Sequence, residues 1–195
     1  MEILTPAATL EGAAEHAALL ELEVQRLREQ VARLQAERAT LRWAIEHDEL
    51  TGLANRRLFN AVAPSLLRQY QRCAVLVLDL NEFKPINDRY GHAAGDAALV
   101  AVAERLTAEV RAAGAVGRIG GDEFAVLLQH ADLKAASVKA VSLAMAVSGA
   151  RIAFGGNEIA VSMTYGVRQI GAVDSAEEAL SEADAAMYLR KPTRG

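Results

Sequence analysis

Cysteine is nearly missing from this chain of 195 residues, which has only Cys73. A lone cysteine excludes an intrachain disulfide framework and a cysteine-based zinc site. Its place in the apolar run CAVLVL reads as a small buried hydrophobe rather than a nucleophile. Aromatics are scarce at 5%, yet hydrophobic residues reach 52% and charged residues 24%, so the chain can build a core and is not disordered by composition. No apolar run approaches the roughly 18 to 20 residues of a membrane span. The N-terminal segment carries Glu2 and Glu11 and lacks the basic n-region of a signal peptide. These absences predict a soluble, cytoplasmic protein with no membrane insertion. Excess positive charge is lacking as well: 21 Lys and Arg stand against 25 Asp and Glu, a formal charge of −4. That balance argues against a nucleic-acid partner.

The length is a little more than one domain of about 150 residues, leaving room for one globular unit and an appendage. The appendage is residues 1–47. Leu20, Leu27, Leu34 and Leu41 fall at heptad position d, and Leu10, Ala17, Val24, Val31, Arg38 and Ile45 at position a. β-Branched residues at a with Leu at d favour a two-stranded parallel coil. In that arrangement Glu23 faces Arg28 of the partner helix and Glu37 faces Arg42, both opposite charges. The pattern predicts a coiled-coil dimerisation helix over 1–47, and Arg38 in the seam costs stability while it can fix register.

The heptads stop at HDELTGLANRR, where Gly52 and the polar cluster around it break the period. Residues 48–195 then alternate helical patterns with apolar runs of strand length. Helices are predicted at Arg57–Gln71, Gly95–Ala113, Leu133–Ser148 and Ala176–Lys191. Strands are predicted at Cys73–Leu80, on either side of Gly120 and Gly121, and within Ile159–Ile170, with the two glycines supplying the positive φ angles of a tight hairpin. Interleaved strands and helices around one hairpin indicate an α/β sandwich.

Two acidic positions lie at predicted strand ends. Asp79 closes the run AVLVL, and Asp122 and Glu123 follow the Gly-Gly turn. Carboxylates on adjacent strands suit a hard cation such as Mg²⁺, which suits phosphate chemistry. By themselves they are weak evidence, because loop acids are usually just solvated. The segment DLNEFKPINDRYGHAAGD adds Lys84, the amide of Asn87 and the carboxylate of Asp96. An amide and a carboxylate together can read the edge of guanine, although an ordinary helix N-cap is the commoner role for an Asp placed like Asp96.

The runs DELTGLANRR, FKPINDRYGH, RIGGDEF and ADAAMY occur in the order and spacing of the GGDEF family of diguanylate cyclases, which residues 48–195 resemble. The resemblance implies a nucleotidyl-cyclase or ferredoxin-like fold, a central sheet flanked by helices. It also implies an activity, the condensation of two GTP into cyclic di-GMP and two pyrophosphates across a homodimer, with Mg²⁺ or Mn²⁺ as cofactor. Position by position, Asp79 and Asp122 match the family's metal-binding acids, with the main-chain carbonyl of Leu80 as a further ligand. Asn87 and Asp96 match the pair that recognises guanine. Lys84 and Lys191 match phosphate contacts, and Phe83, Gly120 and Gly121 belong to the same nucleotide-binding motifs. Glu123 matches a position compatible with metal binding and with activation of the attacking hydroxyl. Asp48 and the arginines of NRR resemble a structural salt-bridge set.

Three departures stand out. Lys191 is followed by Pro-Thr-Arg-Gly instead of the usual pattern with a second basic residue four places on. Asn81 replaces a frequent Asp, a change expected to matter little. The family's inhibitory product site, Arg-x-x-Asp, is degenerate: Arg111 survives, but Gly114 stands where the Asp belongs. The altered C-terminus is the one feature favouring a second reading, a GGDEF domain that binds GTP or cyclic di-GMP with little turnover.

Overall fold

The computed structural model describes residues 6–69, 72–170 and 176–190. The chain divides into two compact units, Met1–Ile45 and Glu46–Gly195. The first is built on one helix, α1 (Pro6–Glu46). Its seam residues Val24, Leu27, Val31 and Leu34 are 45–53% exposed in the single chain. Two ion pairs form along the helix, Arg26 with Glu23 at 3.6 Å and Arg33 with Glu37 at 3.9 Å, each worth only a few tenths of a kcal/mol.

The second unit is organised by strand β2 (Cys73–Leu80). It runs through the middle of a mixed five-stranded sheet, and every one of its residues is buried. With β1 (Ala54–Asn55), β3 (Gly114–Arg118), β4 (Glu123–Gln129) and β7 (Met163–Ile170), the sheet order is β1-β3-β4-β2-β7. β2 pairs antiparallel with both β4 and β7, and β1 runs parallel to β3. A separate hairpin joins β5 (Arg151–Phe154) to β6 (Asn157–Ala160).

Strand alternation divides β2 between two cores. Leu76, Leu78 and Leu80 pack with α4 (His92–Val110) and α5 (Leu133–Ser148). Cys73, Val75 and Val77 pack with α2 (Arg56–Gln69) and α6 (Ala176–Tyr188). Complete burial of Leu76 and Leu78 stabilises the fold by roughly 1.5–3 kcal/mol each. The unbroken apolar run follows from this double burial, and burial also pushes the Cys73 thiol up from its usual range.

The α/β expectation holds, with local differences. A short helix, α3 (Phe83–Tyr90), precedes α4. α4 starts at His92, three residues before the expected Gly95, and ends at Val110, where a 3₁₀ turn takes up Arg111–Ala113. Asp96 therefore lies inside a helix and is not its N-cap; Gly91 holds that place. Gly120 and Gly121 do not have positive φ, because β3 and β4 are joined by four residues, 119–122, rather than by a two-residue turn. The Gly-Gly pair with positive φ is Gly155-Gly156, at 55° and 78°, which closes the β5–β6 hairpin in two residues.

Candidate active site

The C-terminal end of β2 meets the turn before β4. Asp79 is 6% exposed and directly opposite Glu123 on β4 and Thr164 on β7. Cross-strand partners share a face, so both carboxylates stand on the α2/α6 side of the sheet. Leu80 buries its side chain in the other core, which leaves its main chain at the strand end, and its N–H donates to the carbonyl of Asp122 at 3.1 Å. That bond holds the half-buried Asp122 beside the end of β2. Burial first, then the charges of Asp184 and Asp79, pushes the Glu123 carboxyl up from its ordinary range, while Arg56 pulls against them.

The turn is clamped from behind. Arg118 donates through Nε and Nη2 to the Gly121 carbonyl at 3.1 and 2.6 Å, and through Nη1 to both oxygens of Asp48 at 2.9 and 3.0 Å. Asp48 also accepts from the N–H and hydroxyl of Thr51 at 2.9 and 2.6 Å. Burial alone would raise the Asp48 carboxyl, but the bonds from Thr51 and Arg118 outweigh it and hold the group below the ordinary carboxylate range. Asp48 is thus part of a structural ion pair, and its partner is the arginine of RIGGDEF. Arg56 of NRR turns instead to Glu123. Because the folded carboxyl titrates below its unfolded value of about 3.9, the pair's contribution is complete above that pH and is lost as pH falls through the folded value. Asp48→Asn is expected to cost about 1–3 kcal/mol near neutrality, since it leaves Arg118 without its charged acceptor. Thermal melts from pH 7 to pH 3 should show the gap between wild type and variant closing in acid; a gap independent of pH would contradict this account.

On the far side of β2, the backbone enters α3 through Glu82, whose φ is 53°. Asn81 fixes this entry: its N–H donates to the Ser162 carbonyl at 2.9 Å, its amide to the Ser162 hydroxyl at 3.0 Å, and Thr164 donates to its Oδ1 at 2.7 Å. Asn81 therefore anchors the turn that presents Phe83 and Lys84. Lys84 is exposed, and Phe83 packs against the core. The Asn87 side chain rests on the backbone of Gly95 in α4. A Cβ at Gly95 would overlap the Asn87 Oδ1 and come within 3.1 Å of the Phe83 ring, so only glycine lets the amide lie one residue from the exposed Asp96.

The folded chain thus brings Asp79, Leu80, Asp122 and Glu123 together at one strand end, and sets Asn87 against Gly95, the residue before Asp96. Lys191 lies outside the described residues. Among the described residues no three His, Cys, Asp or Glu side chains are grouped so as to hold a metal by themselves. The donors present at the strand end are hard oxygens, and the crowding that raises Glu123 is the kind a cation relieves. Such a set fits an ion like Mg²⁺, which takes one or two carboxylates and completes its shell with water and phosphate.

Residues 45–195 match the family model described as the diguanylate cyclase GGDEF domain. The chain belongs to the GGDEF family. Diguanylate cyclase TpbB of Pseudomonas aeruginosa is 39% identical over 166 residues, which are 82% of this chain and 38% of TpbB. This chain thus spans well under half of that relative. The coiled coil and GGDEF domain of DgcB from Caulobacter crescentus, solved with c-di-GMP, superposes with a TM-score of 0.79 over 87% of this chain and 92% of that one; at 24% identity, it shares the fold. Diguanylate cyclase SiaD of Pseudomonas aeruginosa, solved with its activator SiaC, gives a TM-score of 0.71 at 27% identity over 93% of this chain and 72% of SiaD.

Sequence reasoning did not find three contributors to this GGDEF site: Arg118 as the clamp of Gly121, Arg56 as the counter-charge of Glu123, and Asp184 as its repulsive neighbour. Arg56 and Asp184 reach Glu123 across more than sixty positions, and Arg118, three residues from Gly121, is fixed by Asp48 seventy positions away. Only the motif positions of NRR, RIGGDEF and ADAAMY hinted at them.

Proposed function

We propose that this chain is a diguanylate cyclase that condenses two GTP into cyclic di-GMP and two pyrophosphates across a cytoplasmic homodimer paired through α1 as a parallel coiled coil. The observation that carries the reading is the cross-strand register of Asp79 and Glu123, with Asp122 tied to Leu80 beside them. Asp79, Asp122 and the Leu80 carbonyl would hold Mg²⁺ or Mn²⁺, whose chemistry when bound is to neutralise phosphate charge and lower the pKa of the attacking hydroxyl.

Asn87 and Asp96 hold the guanine, the carboxylate accepting from N1–H and the amino group, while Lys84, Phe83 and the backbone of Gly120 and Gly121 position the rest of the nucleotide. Lys191 supplies a further phosphate contact. In each half-reaction the 3′-oxygen of one GTP forms a bond to the α-phosphorus of the other as the bond to the pyrophosphate oxygen breaks. The hydroxyl proton leaves toward the acid cluster, with Glu123 as the candidate acceptor. One subunit presents one nucleotide, so two must face each other.

Incubation with GTP and Mg²⁺, followed by chromatography for cyclic di-GMP, tests the reading directly. Product is expected, and its absence at every protein concentration would overturn it. ATP should be a poor substrate, because adenine has no N1–H to offer Asp96; substantial adenine-containing cyclic product from mixed nucleotides would contradict that assignment.

Product inhibition should be weak. Arg111 sits at a φ of 48°, and its Nε donates to the carbonyl of Ala108 at 2.9 Å. Gly114 has an ordinary extended φ, but a Cβ there would run into the Leu127 carbonyl across the strand pair, so the place of the missing Asp has no room for a side chain. A site that loses one of two hydrogen-bonding partners weakens by roughly 5- to 150-fold. Calorimetry should find no micromolar cyclic di-GMP binding that depends on Arg111; such binding, abolished by Arg111→Ala, would refute the expectation.

A further inference from the structure

We propose that Arg56 is a positioning residue that holds the Glu123 carboxylate in its reactive place; the inference rests on the cyclase reading of this site. Its own position follows from local structure. Asn55 pairs with Arg118 in the β1–β3 ladder and caps α2 by accepting from the N–H of Leu58 at 3.0 Å. Arg56, the first residue of α2, is thereby set beside the end of β3. Its Nε donates to the Ile119 carbonyl at 2.8 Å, and its Nη2 lies 3.6 Å from Oε2 of Glu123. The same oxygen, Oε2, also rests on Gly120, where a Cβ would overlap it. Glu123 is therefore held between a backbone that has no side chain and a guanidinium braced on that same turn.

The hold is needed because everything else pushes. Asp79 stands opposite Glu123 in the β2–β4 ladder, Asp122 precedes it and Asp184 lines the same cavity, while among the described residues Arg56 is the cation paired with it at 3.6 Å. Room to retreat is available as well. A cavity of about 320 Å³ opens between the sheet, α2 and α6, lined by Arg56, Asn60, Glu123, Ser181 and Asp184 among others. With Arg56 gone, the carboxylate can swing off Gly120 through the exposed side that the guanidinium had filled, away from Asp184. The Arg56 side chain is itself 59% exposed, so its loss weakens the fold little.

The test uses the full chain carrying Arg56→Met or Arg56→Lys. Steady-state synthesis from GTP should show kcat down about tenfold in the Met variant with KM for GTP within about twofold, the pattern of a group that acts after binding. The Lys variant, which restores the charge without the two-pronged hold, should recover part of the loss, and melting temperatures should stay close to wild type. A crystal structure of Arg56→Met should find the Glu123 carboxylate moved off Gly120. Unchanged kcat, or kcat and KM worsening together with a lower melting temperature, would overturn the proposal. So would a Glu123 that keeps its place in the variant structure. If the wild-type chain makes no cyclic di-GMP, the cyclase reading fails, and the position of Glu123 in the variant still decides the role of Arg56.

Discussion

Asp122→Ala should abolish cyclic di-GMP synthesis, by about a thousandfold or more in kcat, while the protein melts within a few degrees of wild type. A thousandfold loss is about 4 kcal/mol of transition-state stabilisation, the scale expected when a group that organises charge on a reacting phosphate is removed. Stability should be spared because the turn does not depend on this side chain. Ile119 and Gly120 donate to the Glu123 carbonyl at 2.9 and 3.3 Å, Leu80 bonds the Asp122 main chain, and Arg118 holds Gly121. Alanine leaves all of these in place. Titration with Mn²⁺ followed by electron paramagnetic resonance should show weaker metal binding in the variant. Near wild-type synthesis with unaltered Mn²⁺ affinity would show that the cation is held by other residues.

The second large effect concerns α1. Deleting residues 1–45 should leave a folded GGDEF unit whose rate per subunit, assayed near 0.1 μM, falls by about a hundredfold and rises with protein concentration. The full chain should keep a nearly constant specific activity over the same range. A tether that pairs two half-sites sets their effective concentration near millimolar, far above the assay concentration. The half-exposed apolar stripe of Val24, Leu27, Val31 and Leu34 is the surface such pairing would cover. Sedimentation of the two proteins reports the oligomeric state independently. Equal specific activity of both at sub-micromolar concentration would remove α1 from the mechanism of assembly.

Parts of this molecule were legible in the sequence because local pattern and tertiary role coincide there. β2 is apolar without alternation since both faces are covered, and α5 runs over the expected Leu133–Ser148. Where the two diverge, pattern misleads. The dipeptide Gly-Gly occurs twice, and only Gly155-Gly156 forms a two-residue turn with left-handed backbone; at Gly120 the requirement is close approach of the Glu123 carboxylate. α3 escaped notice because it is eight residues long and enters through a non-glycine residue at positive φ. Among the candidate site residues, Asp79 could be found from its sudden polarity after an apolar run, and Asp122 and Glu123 from their place between the Gly-Gly turn and the next apolar run. Arg56, Arg118 and Asp184 could not, since their partners lie 67, 70 and 61 positions away and are chosen by packing rather than by period.

The burial of Cys73 gives the protein a practical property. Its sulfur is sealed between the central strand and the helices on one face, and its thiol is held in the protonated, unreactive form. A maleimide or nitroxide reagent therefore meets no native target in the folded chain. One cysteine introduced at an exposed seam position such as Val24 would be the sole reactive thiol, and spin–spin distances between two labelled copies would read helix orientation and register from the native sequence with a single substitution.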